Sequence, residues 1–317
     1  MATHLNNGFA RHWLPFPVEM EKCVCAICSN PESQTLLKFD SFGFPTHTVE
    51  CRHCGLVYAN PRPTQKYMEV FYQKYFRFFY EGYRKVTDDY IHRKKWKEWA
   101  DSRFARYRPF LRENSRVLDL GCGAGFFLDS VRRALPAAQV EGIEPDPMMA
   151  RFCQEKLGLD VHKEFLETFV SPHRFDVITA FHLIEHLFDV RAFLEFLQKN
   201  LAPDGLVIIE TPNVTGGWEG IGMFHLAHLY TFSPRTVSNL FRADGFEVVQ
   251  VGVLENQLDD SNLFLVARMD RSAQPAFLPR EQSESTRIAA KCRAIKATRA
   301  QRILRNWAKM AYFSLRF

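Results

Sequence analysis

No run of apolar residues in this chain of 317 approaches the 18 that a membrane-spanning helix needs. The opening MATHLNNGFARHWLPFPVEMEK also lacks an apolar core before a small-residue cleavage site, so the expectation is a cytoplasmic protein. Acid is missing from one region. From Ser285 to Phe317 there are nine Lys or Arg residues and no Asp or Glu. Subtracting those nine from the net charge of +5 leaves −4 on the first 284 residues, so the basic character belongs to the tail. No internal repeat is visible, and the length excludes a stapled mini-protein.

Eight cysteines are present, and Cys23, Cys25, Cys28, Cys51 and Cys54 crowd into the first fifth of the chain. In a reducing compartment that clustering points to metal rather than to disulfides. CAIC at 25–28 and CRHCG at 51–55 are two CxxC knuckles with the spacing of a four-cysteine zinc site. Cys25, Cys28, Cys51 and Cys54 are the expected ligands, with Cys23 as a surplus thiol. Phe39, Phe42, Phe44 and Val49 between the knuckles supply strand-like material for a small zinc ribbon. NPRPTQKY at 60–67 then punctuates the chain. Residues 68–112 are rich in aromatics (Phe71, Tyr72, Tyr75, Phe76, Phe78, Phe79, Tyr80, Tyr83, Trp96, Trp99, Tyr107) and read as helices that cap the next domain.

From 116 to 270 strand and helix patterns alternate, which predicts an α/β domain with a mostly parallel sheet covered on both faces. RVLDL (116–120), AQVEGIEP (138–145), FDVITAF (175–181) and GLVIIETP (205–212) are its expected strands, and EVVQVGVLE with LFLVARM an antiparallel pair near its edge. The first strand ends in Asp119 and runs into Gly121, Gly123 and Gly125, a tight turn at the carboxyl edge of the sheet where a helix begins. Open α/β sheets bind ligands there. The pattern is GxGxG followed by Phe126, so the dinucleotide fingerprint GxGxxG is absent. Glu144 ends the second strand, where a carboxylate can accept from both hydroxyls of a ribose.

VLDLGCGAG, GIEPDP, FDVITAFHLIEHLFDV and HLYTFSPRTVSNLFRADGFEVV, in that order, resemble the class I S-adenosylmethionine-dependent methyltransferases over about residues 113 to 270. The resemblance implies a Rossmann-like sheet of seven strands with the last antiparallel. It also implies that Gly121, Gly123 and Gly125 pack on the cofactor, Asp119 lies beneath the loop and Glu144 holds the ribose. Phe165, Phe181 and His182 are its candidates beside the adenine and the sulfonium. The chain then divides into a tail (1–19), a zinc ribbon (20–62), an aromatic helical cap (63–112), an S-adenosyl-L-methionine-binding domain (113–270), and a linker with a basic C-terminal helix (271–317). The ribbon followed by CGLVYANPRPT resembles a branch of this family that acts on sugars, cell-envelope precursors or secondary metabolites.

Methyl transfer needs nucleophile and methyl held in line, and a base where the nucleophile carries a proton. HLIEHL offers His182, Glu185 and His186 on one expected helix face, with His186 as the first choice of base and a divalent metal as an alternative use of the same face. FHLAHLYTFSP at 224–234 adds His225, His228 and Tyr230 on a loop over the expected pocket. The substrate expected is a small molecule or glycan precursor. RNA or protein, gripped by ribbon and tail, is the alternative, followed by a scaffold without turnover. The basic tail, with Trp307, Tyr312, Phe313 and Phe317 among its cations, is expected to meet an anionic membrane surface, making the protein peripheral to it.

Overall fold

A computed structural model of the chain describes residues 3–4, 19–40, 43–44, 46–76, 95–216, 223–254, 262–270 and 277–298, together with 300, 301, 303–306 and 308. Phe42, Phe78, Phe79, Tyr80, Tyr83, Trp307, Tyr312, Phe313 and Phe317 lie outside the described residues.

Six short strands come first: β1 (Thr3–His4), β2 (Glu19–Glu21), β3 (Ser33–Leu37), β4 (Thr48–Cys51), β5 (Val57–Ala59) and β6 (Arg62–Pro63). They form two antiparallel sheets, one of β1, β2 and β6, the other of β3, β4 and β5. Among the described residues two helices follow, α1 (Gln65–Lys74), capped by Thr64, and α2 (Trp96–Tyr107).

The chain then builds a seven-stranded sheet from β7 (Arg116–Leu120), β8 (Gln139–Ile143), β9 (Asp160–His162), β10 (Phe175–Phe181) and β11 (Leu201–Pro212), completed by β13 (Phe246–Val253) and β14 (Asn262–Met269). Between β11 and that last pair lies the two-residue β12 (Tyr230–Thr231). The sheet order is β13-β14-β11-β10-β7-β8-β9, and β14 alone runs against its neighbours. Strands β7 and β10 cover the residues expected of them because strands buried on both faces are written as continuous apolar runs. β9 leaves no pattern in the sequence, since three residues are too few to show a period.

The helices α3 (Phe126–Ala134), α4 (Pro147–Leu157), α5 (Val190–Asn200) and α6 (Pro234–Ala243) cover the sheet. Local chemistry fixes where they start. Asp146 accepts from the Met148 and Met149 amides ahead of Pro147, Asp189 caps α5, and Ser233 and Thr236 close a reciprocal capping box on α6. Two apolar layers result, one packed between sheet, α5 and α6, the other between sheet, α2 and α3.

The ribbon region is not closed on itself. β12 pairs antiparallel with β5, Tyr230 opposite Tyr58 and Thr231 opposite Val57, so a segment of the α/β domain becomes the fourth strand of the ribbon sheet. The basic C-terminal helix α7 (Gln282–Ala297) docks here too. Its Ile288, Cys292 and Ile295 bury against Leu36, Leu37, Phe39 and Val57. Its Glu284 accepts from Ser233 and Arg235, while Arg280 and Ser285 bond Glu50. Among the described residues no helix is long and apolar enough to cross a membrane.

Candidate active site

The glycine turn follows from its backbone angles. Gly121, Gly123 and Gly125 have φ of 67°, 56° and 72°, a region that side-chain-bearing residues pay to enter. The Gly121 and Cys122 amides donate to Ile143 O at 2.8 and 3.1 Å, tying the turn to β8. A Cβ on Gly125 would stand 2.8 Å from the sulfur of Cys153, whereas one on Gly123 would meet nothing within 4 Å. Gly123 therefore borders open space at the sheet edge, and a methyl there would fill room a ligand can use.

Glu144 stands across that space. Its Oε2 accepts from Gly123 N at 2.8 Å and its Oε1 from Asp146 N at 2.9 Å. Beneath the turn, Asp119 accepts from Thr179 Oγ1 at 2.6 Å. Burial pushes the Asp119 carboxyl up to about 7, against the Thr179 hydrogen bond and the charge of Arg103. This edge suits S-adenosyl-L-methionine: glycines that let the ligand lie on the backbone, and a carboxylate for ribose hydroxyls.

Beyond the end of β10 the chain turns sharply. His182 has φ of 54°, and its amide donates to Glu210 O at 2.8 Å. Ile184–His186 is a 3₁₀ turn rather than the expected helix. The physical reason is the Glu185 carbonyl, which accepts from Leu229 N at 2.8 Å and so is not given to an α-helical amide. The turn still brings the expected groups together. Glu185 is buried, accepts from Thr211 Oγ1 at 3.0 Å, and has Oε1 3.4 Å from His182 Nδ1. Burial alone would raise this carboxyl, but the His182 hydrogen bond, then the neighbouring His186, outweigh it and hold it at about 2.

His186 Nδ1 lies 2.9 Å from Ala227 O and 2.8 Å from Tyr72 Oη, and Tyr72 Oη also donates to Ala227 O at 3.2 Å. A carbonyl oxygen only accepts, so Nδ1 carries the proton and the lone pair sits on Nε2. The His228 Nδ1 donates in the same way to Met223 O at 2.7 Å. The His228 ring lies 4.8 Å edge-on from His186 and 3.7 Å from His225. Burial, then the neighbouring His186, lowers His228 to about 3, and burial lowers His225 too, so both are neutral near pH 7. Glu185, His186 and His228 each offer a ligand atom within 4.8 Å of the others.

The cysteines share an apolar cluster with Leu229, Tyr230 and Phe232 of this loop. Cys25, Cys28, Cys51 and Cys54 are unbridged, with sulfurs all within 4.8 Å, Cys25–Cys54 at 3.3 Å and Cys28–Cys51 at 3.5 Å. Each knuckle closes alike: Ser29 N donates to Cys25 O and Gly55 N to Cys51 O, with Ser29 and Gly55 in left-handed backbone. Hydrogen bonds from Cys25 and Cys54 pull Cys51 down, while the bond to Cys51 raises Cys25 and those to Cys25 and Cys51 raise Cys54. Four thiols gathered this closely offer the donor set that a thiophilic cation takes.

A methyltransferase-domain family model matches residues 90–251, 162 of the 317. The chain belongs to that family, the S-adenosylmethionine-dependent methyltransferases. A ubiquinone biosynthesis O-methyltransferase of Bartonella tribocorum is 26% identical over 174 residues, 48% of this chain and 68% of its own length. One of Bradyrhizobium diazoefficiens is 35% identical over 103 residues, 31% of this chain, which there spans only 40% of the relative. A SAM dependent methyltransferase of Archaeoglobus fulgidus aligns with TM-score 0.48 at 21% identity, over 57% of this chain and 99% of that one.

Three expected residues of this methyltransferase remain, Phe165, Phe181 and Tyr230. Phe165 is 46% exposed in the turn after β9. The Phe181 ring faces the helices, stacked on Tyr107 and edge-on to Phe127, with the Arg103 guanidinium 4.3 Å above it. Tyr230 Oη accepts from Arg62 Nη1 at 3.2 Å and donates to Phe188 O at 3.3 Å, so its hydroxyl serves the ribbon contact. Sequence reasoning missed the partners of Glu210, which accepts from Arg103, Arg106 and Tyr107 at 2.7 to 2.9 Å. Their spacing on α2 puts all three on one helix face, the one available signal.

Proposed function

We propose that this methyltransferase acts on a hydroxyl oxygen of a small acceptor, with His186 taking the proton. The observation that carries the reading is the Ala227 carbonyl at His186 Nδ1, which leaves the basic lone pair on Nε2. The names of the two O-methyltransferase relatives support it. S-adenosyl-L-methionine supplies, when bound, a methyl made electrophilic by its sulfonium. Gly121, Gly123, Gly125 and Glu144 hold it, Asp119 braces the turn from below, and Glu185 stabilises the imidazolium that His186 becomes. The convergence of Glu185, His186 and His228 supports a second reading, a divalent cation at those three side chains. Formation of S-adenosylhomocysteine is measured with catechol, a sugar hydroxyl and an amine panel, with and without added Mg²⁺. Turnover confined to hydroxyl acceptors is expected, and turnover on amines alone overturns the proposal. Strict dependence on Mg²⁺ would favour the second reading.

The four cysteines are proposed to hold one structural Zn²⁺. Tetrahedral Zn–S bonds of about 2.3 Å put sulfurs roughly 3.8 Å apart, within the spread seen here. Elemental analysis of freshly purified, reduced protein is expected to find one zinc per chain, and Cys51→Ser to lose it. Full occupancy in that variant would refute the site.

For the tail, an anionic membrane surface is proposed as partner. Arg287, Arg293, Lys296 and Arg305 are exposed, while Ile288, Cys292 and Ile295 are the residues buried against the ribbon. The full chain is expected to float with anionic liposomes and the chain lacking residues 285–317 to float less. Equal recovery removes the membrane.

A further inference from the structure

The histidines stand on two segments that the α/β domain does not hold alone. Residues 184–188 follow β10, and residues 223–231 return from β11. Both are gripped by the ribbon. Ala59 N donates to Leu229 O at 2.9 Å, beside the β5–β12 pairing. Asp40 Oδ2 accepts from Leu226 N at 3.2 Å, while its Oδ1 accepts from Phe44 N at 2.8 Å. Arg62 donates to Phe188 O at 2.7 Å and lies 3.7 Å over the Phe188 ring. Met223 and Phe224 bury among Leu36, Leu37, Phe39 and Val57.

The knuckles are fastened from the other side. Arg191 on α5 donates to Ile27 O and Arg235 on α6 to Cys54 O, each at 2.8 Å. A Cβ on Gly55 would stand 2.6 Å from the Arg235 guanidinium, so that knuckle and helix are in close contact. The ribbon thus contacts both α5 and α6 and the segment that carries the histidines. The glycine turn, by contrast, is tied to β8 through Ile143 O and Glu144.

We infer that the ribbon sets the placement of His186 and His228, with Asp40 as a positioning residue, through the segment 223–231. The two imidazoles donate their Nδ1–H to the carbonyls of Ala227 and Met223, which that segment carries. Displacing it removes both carbonyl acceptors and with them the bonds that fix the Nδ1–H tautomer of each ring. The cofactor turn is left standing. The zinc arm of the test rests on the metal proposed above, and the Asp40 arm does not.

Full-length wild type, Asp40→Ala and Asp40→Asn are compared in zinc content, S-adenosylmethionine affinity, amide exchange and imidazole ¹⁵N shifts. In Asp40→Ala the amides of Leu226 and Leu229 are expected to exchange about five- to tenfold faster, as loss of one buried hydrogen bond implies. The His186 and His228 nitrogens should move toward averaged tautomers, with cofactor affinity within twofold of wild type. Asp40→Asn, which keeps one acceptor oxygen, should lie between, and serves as the reading should the alanine variant fail to fold. Unchanged imidazole shifts overturn the inference, and so does a cofactor affinity that falls in step with the exchange. In the second arm, chelation of wild type is expected to give the same loop signature. If the protein carries no zinc, the cysteine proposal fails while the Asp40 variants still decide the clamp.

Discussion

His186→Ala is expected to slow the methyl-transfer step about 10² to 10⁴-fold, the usual worth of a positioned general base. The expectation comes from the tautomer. With Nδ1–H given to Ala227 O, the imidazole presents Nε2 as acceptor, and the buried anion of Glu185 favours the cationic form after proton transfer. Alanine removes the acceptor and leaves the glycine turn alone, so single-turnover rates should drop while calorimetry finds cofactor affinity unchanged. His186→Gln is the sharper control: it can still donate to Ala227 O but has no nitrogen lone pair, and it should be as slow as alanine. Recovery of rate in glutamine would show that His186 is needed only to hold the loop. A fall of cofactor binding in step with the rate would mark it as structural.

How far the sequence reaches into this site depends on the range of the interaction. The turn at 121–125 was legible because three glycines at alternate positions have few uses besides a left-handed backbone path, and all three adopt it. Strands β7 and β10 were legible because burial on both faces makes them continuously apolar. The helix expected of HLIEHL was not formed, since the carbonyl of Glu185 is claimed by Leu229, 44 positions on, and no local pattern carries that pairing. The place of Tyr230 beside two histidines makes it a candidate pocket residue, and the sequence does not show that its hydroxyl answers Arg62, a residue 168 positions away. Asp40 carries no signal in the sequence, because an aspartate in a short ribbon looks like a turn former, and its second oxygen accepts from Leu226, 186 positions later. Sequence pattern reports periodicity and turn chemistry well. It is silent where two distant segments meet through backbone groups, which every residue carries alike.

Glu144→Ala is expected to weaken S-adenosylmethionine binding by about 1.5 to 3 kcal/mol, the worth of hydrogen bonds to a charged group. That is roughly 10- to 150-fold in Kd. Two losses combine in this variant. The ribose hydroxyls lose an anionic acceptor, and the Gly123 and Asp146 amides lose the carboxylate that now orders the turn. Glu144→Gln separates them. Its carbonyl oxygen can keep one amide bond while its NH₂ opposes the other, so the turn is partly held and the charge is gone. A Gln variant close to wild type would assign the effect of alanine to the backbone of the turn; one close to alanine assigns it to the anion. Calorimetry on the full chain reads both, and far-UV circular dichroism shows whether the fold has been kept. Unchanged affinity in the alanine variant would remove Glu144 from the cofactor site and leave the glycine turn without its ribose partner.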